Sequence, residues 1–462
     1  MDPHELRLAT SRNLYGLAMH YDYINSGSVD YNEYAVKDMV LGAAPNLKEV
    51  YLYQYSSGSN PWTAQAIRAP KELWRTGKIV PSAPAPTRGR LERLELINLH
   101  ISIPFLESWH QCTDLSVLRT LKIYSNVHTQ ELRWLSENCH LDSLEVIALD
   151  LHEEDDPVYE EFWLRIPPLK SLRLSGSYGQ RTLRAIVDRH AATLETLLLV
   201  TPEMENPPEH GSAGFASQDF LQILRDKFLR IRELAISLMR TEGNEEEVAL
   251  YRSLGQISTL RKIHLSVYSS QRCTWAQLLP PEPVSSSTVY SNFGFAPTYR
   301  TFHDVMIDLA DEKIYLAEDL DLADQLRASL IDVAMDQELA HSIFRVISTA
   351  RSEDAQSLDH LGLRMGSFDH FERFDDDNPK TLFSYIGRSW ICDRSLRDGI
   401  HRDCHVREYN PEESIERQFV EDEGYLADIA NGPLRPILHE LWPASRDREW
   451  KDVWHSFPLA ID

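Results

Sequence analysis

The sequence predicts an α/β solenoid, in which short parallel strands stack in chain order and helices cover their outer side. Three observations predict it. An apolar hexamer, L-x-x-L-x-L with Ile or Val allowed at the apolar positions, recurs with lead residues 27, 26, 25, 25, 37 and 29 residues apart from Leu91 onward. Between hexamers the apolar residues fall at helical spacing instead. The chain has 462 residues, 42% hydrophobic and 26% charged, which describes a folded protein rather than a disordered one. That length suits about two to three separate domains, or one array growing in a single direction. One such hexamer means little, because Leu-rich helices also produce it. Five in register select the array.

Residues 1–46 are polar and rich in Tyr and Asn (HYDYINSGSVDYNEYAV), and read as an N-terminal cap or flank. The repeats occupy 47–270. Their hexamers are Leu47/Val50/Leu52, Leu91/Leu94/Leu96, Leu118/Leu121/Ile123, Leu144/Ile147/Leu149, Leu169/Leu172/Leu174, Leu194/Leu197/Leu199, Ile231/Leu234/Ile236 and Leu260/Ile263/Leu265. Helical spacing follows or precedes them at Leu183, Ile186, Val187 and His190, at Phe220, Leu221, Leu224 and Phe228, and at Val248, Tyr251 and Leu254. Neither a strand nor a helix of this kind buries its apolar side alone. Stacking removes that side from water, which stabilises by about 1.5–3 kcal/mol per fully buried leucine. Residues 271–302 interrupt the pattern with Pro- and Ser-rich text and read as a loop insertion. The remainder, 303–462, reads as C-terminal repeats closed by a helical and aromatic cap. Within it Asp336 opens a helix carrying Leu339, Ile343, Val346 and Ile347. Leu358/Leu361/Leu363 form another hexamer, and a further helix carries Leu382, Ile386 and Trp390. Trp442, Trp450, Trp454 and Phe457 read as the seal on the last repeat.

These hexamers resemble the leucine-rich-repeat family, and the 25–27 spacing is similar to the longer repeats of F-box-associated proteins. The resemblance implies an irregular leucine-rich-repeat solenoid, a horseshoe with a parallel concave sheet and outer helices. The family's Asn, eight positions after the lead leucine, stands here as Asn126. Leu99, His152, Ser177 and Pro202 occupy that position in neighbouring repeats. Three C-terminal stretches, residues 336–344 (DQELAHSIF), 386–394 (IGRSWICDR) and 436–443 (PILHELWP), with Trp450, Trp454 and residues 457–459, resemble filamentous-fungal F-box and leucine-rich-repeat proteins. That resemblance implies a substrate-recognition role in a ubiquitin ligase. The family's F-box begins near a Leu-Pro, and residues 1–46 contain none. Contact with a ligase adaptor therefore requires an F-box outside this chain.

Strand alternation predicts the binding surface, because residues flanking the inward apolar positions point the other way. On that concave face lie Tyr51, Tyr53, Ile97, Lys122, Tyr124, Arg173, Leu198 and His264. Tyr and Arg dominate interface energetics, so the expected function is capture of a protein partner on this face. An enzyme with its site in the irregular 266–462 region is the alternative.

Charge and motifs narrow the rest. With 47 Lys+Arg against 71 Asp+Glu the net charge is −24, which repels phosphate backbones and anionic lipid, so neither nucleic acid nor a membrane is an expected partner. Residues 301–462 carry 17 Lys+Arg against 35 Asp+Glu, so most of the acidity sits there. The first residues, MDPHELR, lack a charged region followed by an apolar core. The five cysteines (Cys112, Cys139, Cys273, Cys392 and Cys404) include no CxxC pair. Together these favour reduced thiols in the cytoplasm or nucleus. Cys392, His401, Cys404 and His405 are zinc-ligand types at a spacing that matches no finger or ribbon. The runs 375–377 and 421–423 read as solvated acidic faces, and His370 with Asp369 and Glu372 has no nucleophile motif beside it. No GxSxG, phosphate-binding Gly loop or HExxH is present. No catalytic residue, metal ligand or cofactor is expected.

Overall fold

The computed structural model describes residues 7–22, 31–55, 88–152, 156–176, 178–200, 215–269, 327–366, 382–383, 385–395, 403–409 and 435–461. The chain divides into two compact units, Met1–Pro202 with Lys227–Ile231, and Glu203–Asp226 with Arg232–Asp462. Both are α/β. The expected insertion at 271–302 lies outside the described residues.

Among the described residues of the first unit seven strands run in chain order: β1 (Gly16–Asp22), β2 (Glu49–Tyr55), β3 (Arg93–Ile97), β4 (Thr120–Val127), β5 (Val146–Leu151), β6 (Ser171–Gly176) and β7 (Thr196–Val200). Each pairs in parallel with the next. Parallel neighbours need a crossover, and α1 (Tyr31–Asp38), α2 (Ile103–Cys112), α3 (Thr129–Asn138), α4 (Pro157–Arg165) and α5 (Gln180–His190) lie in these connections. The register aligns Val50, Leu94, Leu121, Ile147, Leu172 and Leu197 in one row and Leu52, Leu96, Ile123, Leu149, Leu174 and Leu199 in a second. No residue in either row is more than 4% exposed. The helices close over them with Leu106, Trp109, Leu132, Leu135, Phe162, Trp163 and Ile186, all buried. An apolar void of about 20 Å³, bounded by Leu94, Leu106, Trp109, Leu121 and Leu135 among others, is too small for anything beyond a water-sized guest.

The residue after each lead apolar position makes a second repeating device. Its carbonyl accepts the first two amide hydrogens of the following repeat: Lys48 from Glu92 and Arg93, Glu92 from Arg119 and Thr120, Arg119 from Glu145 and Val146, Glu145 from Lys170 and Ser171, and Lys170 from Glu195 and Thr196. The side chains at this position alternate in charge. Lys48 pairs with Glu92 at 3.4 Å, and Glu145 with Arg119 at 4.0 Å and Lys170 at 2.8 Å. Gly176 closes β6 at φ +89, and a Cβ there would collide with the Leu151 carbonyl, so only glycine fits. β1 lies within the segment read as a flank. It follows Leu14/Leu17/Met19, a hexamer with Met at the third apolar position.

The second unit begins with β8 (Glu233–Arg240), β9 (Lys262–Ser269) and β10 (His360–Met365) in parallel. It then turns antiparallel through β11 (Trp390–Arg394) and β12 (Cys404–Glu408). Its helices include α6 (Gln218–Lys227, all but the last residue), α7 (Glu245–Gly255), α8 (Gln337–Thr349) and α9 (Arg435–Leu441), with further helical turns at 327–333. The Asn244 side chain caps α7 by accepting from the Glu247 amide at 3.0 Å. Asp336 caps α8 by accepting from the Leu339 amide at 2.9 Å. Asp336 also accepts from the Ser456 amide (2.9 Å) and hydroxyl (2.6 Å), which fastens the C-terminal segment to the start of α8. Behind it, Tyr385 meets Trp450 edge-on at 5.6 Å and Trp442 lies 6.0 Å from Phe457.

One expectation is corrected here. Leu382 and Ile386 are helical as expected, with the Gly387 amide closing the last turn on the Phe383 carbonyl (2.7 Å), but Trp390 lies past the end of that turn and begins β11. Residues four apart satisfy one helix face and one strand face alike. Trp390 is anchored by its indole N–H, which donates to the Met335 carbonyl at 2.9 Å.

Inside this unit lies a charged cluster. Arg240 continues the inward series Leu234, Ile236, Leu238 and is fully buried. Its Nε donates to Glu247 at 3.2 Å, and its Nη1 to the carbonyls of Asp332 (2.9 Å) and Ala334 (3.4 Å). Glu247 accepts also from the Tyr251 hydroxyl and from the amides of Thr241 and Gly243. Burial, followed by the charge on Glu247, pushes the Tyr251 hydroxyl well above its usual range, so it remains a donor.

Candidate functional site

Side chains alternating with the buried rows of the first unit form its open sheet face. Register places Tyr51, Glu95, Lys122, Ala148, Arg173 and Leu198 side by side on β2 to β7. The adjacent row holds His20, Tyr53, Ile97 and Tyr124 on β1 to β4. Seven of the eight residues singled out from the sequence thus come together on one face, in two neighbouring rows. All seven are partly exposed. His264 belongs to the second unit.

Contacts knit this face from strand to strand. His20 stacks on Tyr53 at 5.2 Å. The Tyr51 hydroxyl donates to Glu49 at 2.8 Å, and the Arg93 guanidinium lies 5.2 Å from the Tyr51 ring. Burial and this bond to Glu49 raise the Tyr51 hydroxyl above its ordinary range. Glu95, 8% exposed, takes Arg93 at 3.4 Å and Lys122 at 3.5 Å. The Tyr124 ring lies 6.0 Å from Lys122 Nζ and 5.2 Å from the Arg173 guanidinium. Such cation–ring contacts hold flexible side chains in fixed directions. Strand alternation in the sequence also puts Arg93 and Glu95 on this face, without showing that they link the tyrosines, and it does not reach His20, because β1 lacks the full hexamer.

In the second unit His264 faces Glu233 at 3.3 Å and stands 5.1 Å, ring to ring, from His360. His360 Nδ1 meets Asp393 at 2.8 Å, and Asp393 lies 3.5 Å from Arg407 Nε. The His264 contact holds the Glu233 carboxyl below the usual range against the opposing effect of burial. These imidazole–carboxylate pairs can hold a proton or meet a polar group of a partner. Applying strand alternation to the Leu358 hexamer would have found His360 on this face. Among the described residues, no group of three or more His, Cys, Asp or Glu is arranged to hold a metal ion.

The zinc-type residues are placed on β11 and β12, except His401, which lies outside the described residues, as do His370 and the runs 375–377 and 421–423. Cys392 is buried and its thiol approaches the Ala340 carbonyl at 3.6 Å. A bond with Cys404, then burial, pushes the Cys392 thiol far up. Burial raises Cys139 to about 12, so both are poor nucleophiles. Cys112 and Cys404 are likewise free thiols, whereas Cys273 lies outside the described residues. Among the described residues no helix is long and apolar enough to cross a membrane.

Comparisons with protein-family models, with curated proteins and with solved structures find no match.

Proposed function

We propose that this chain is a protein-interaction module whose binding surface is the open face of β2 to β7. The observation that carries the reading is the set of Tyr–Arg and Tyr–Lys contacts on that face, next to Ile97 and Leu198. Aromatic and Arg side chains held in place on rigid strands are the groups that dominate protein interfaces. Replacing Tyr51, Tyr124 and Arg173 together by alanine is expected to abolish partner capture while leaving the melting temperature of the chain close to that of the parent. Undiminished binding by a folded triple variant would sink the proposal.

The repeat length and the parallel order support reading the array as a leucine-rich-repeat horseshoe with this face concave. The C-terminal motifs support a narrower role, substrate recognition for a ubiquitin ligase in the cytoplasm or nucleus. Co-purification from the native cell with a ligase adaptor tests it. The enzyme alternative has the His264–Glu233 and His360–Asp393 pairs in its favour. Both sit partly exposed on a sheet face, which suits binding better than a water-excluded reaction.

A further inference from the structure

On the open face of the first unit, Arg93 and Lys122 are both matched by Glu95. Arg173 is different. Among the described residues it makes no ion pair and no hydrogen bond, and its Nε is buried without a partner. Its contact is with the Tyr124 ring, two strands away, at 5.2 Å. Ala148 makes that reach possible, because the strand between them carries only a methyl group at this row. Ala148 is 3% exposed. The ring contact holds the guanidinium in place, and its two Nη groups make no hydrogen bond among the described residues. A planar fork of this kind matches a carboxylate through two parallel N–H···O bonds.

We infer that Arg173, held over the Tyr124 ring beside Ala148, is a carboxylate receptor that binds through its two Nη groups, and that the partner is an acidic polypeptide segment presenting Asp or Glu beside an apolar residue. The inference rests on the reading of this face as a protein-binding surface. Leu198, in register with Arg173 on the next strand, supplies the apolar contact. Charge selects carboxylate over phosphate. A phosphate brings about two negative charges. Lys122 is already matched by Glu95, and Asp150 lies on the same face two residues beyond Ala148. A single cation beside a fixed anion suits a single negative charge.

The test uses the full chain as bait for a phage-displayed random-peptide library. Wild-type protein is expected to select peptides enriched in Asp and Glu. Their affinity should fall about tenfold to a hundredfold with Arg173→Gln and weaken with added salt. The Arg173→Gln bait itself should select without acidic enrichment. Tyr53→Ala separates the two readings, since Tyr53 is on the face and away from Arg173. Peptides that lack acidic enrichment yet depend on Tyr53 would overturn the carboxylate receptor and leave the binding surface standing. Selected peptides indifferent to both substitutions, or no selected peptide at all, would overturn both. Tighter binding by more than tenfold after replacing the acidic residue with phosphoserine would make phosphate the ligand and overturn the carboxylate assignment.

Discussion

The inward rows of β2 to β7 hold only apolar side chains, whereas the inward series of β8 ends in Arg240, fully buried against Glu247. The first unit repeats one strand–helix pattern, so each apolar row is closed by the rows beside it. The second unit takes in the end of the helical stretch 327–333, whose last carbonyls have no amide of their own helix to pair with. Arg240 donates to two of those carbonyls, and Glu247 accepts the amides of the turn that leads into α7. Regular chain is held by shape and transfer from water. The helix end here is held instead by a charge cluster, in which Arg240 bonds through Nε and Nη1 while its Nη2 makes no hydrogen bond.

The largest expected effect breaks that cluster. Glu247→Ala leaves Arg240 buried without its carboxylate and removes two turn contacts, so a loss of about 3–5 kcal/mol in urea unfolding is expected. Replacing Arg240 and Glu247 together with Met and Leu should cost distinctly less. An equal loss would show that the backbone contacts of Arg240, rather than the ion pair, hold the segment. In the first unit Leu172→Ala and Leu197→Ala are each expected to cost about 2–5 kcal/mol through the cavity left between repeats. A loss below about 1 kcal/mol would mean the rows collapse and close around the gap.

His190 sharpens the comparison through pH, since it is the buried titrating group of the first unit's α5. Its Nδ1 accepts from the Leu169 amide (3.3 Å) and its Nε2 lies 3.0 Å from the Trp163 carbonyl. This arrangement suits a neutral ring with the hydrogen on Nε2 and gives a proton on Nδ1 nowhere to go. Burial lowers it from 6.5 to about 4. The unfolded chain therefore binds more protons between those values. Stability is complete above about pH 6.5 and falls as pH drops towards 4, by up to about 3 kcal/mol. His190→Gln should flatten that slope, and an unchanged slope would place the titration elsewhere. The smallest effect concerns the alternating charges. Glu145 is held below the usual range by its hydrogen bond to Lys170, yet the pair is exposed. Glu145→Gln should cost less than about 1 kcal/mol at low salt and nothing measurable at high salt.

The inward rows were legible because burial on a strand imposes a period of two, and the L-x-x-L-x-L hexamer carries it in the letters. From the same alternation the sequence placed Tyr51, Lys122, Arg173 and Leu198 on one face. It could not show that Tyr124 and Arg173 meet, since that depends on the small Ala148 in the strand between them. The hexamer does not mark β1, because Met19 stands where the pattern has Leu, Ile or Val. The antiparallel pair β11–β12 has no repeat to announce it, and Trp390 fitted a helix face equally well. Nothing in the hexamer pattern singles out Arg240, and only the partners 92 and 94 residues away show why a charge is buried there.

The order of pairing in the first unit also bears on how the chain reaches its structure. From β4 onward each strand joins the strand of the preceding repeat, 25–27 residues earlier, so each of these closures spans a short loop and none waits for a distant segment. Closure entropy rises slowly with loop length, and low separation between contacting residues is the main correlate of fast folding. Collapse can then start at any adjacent pair of repeats and spread both ways along the sheet, growing by one strand and one helix at a time.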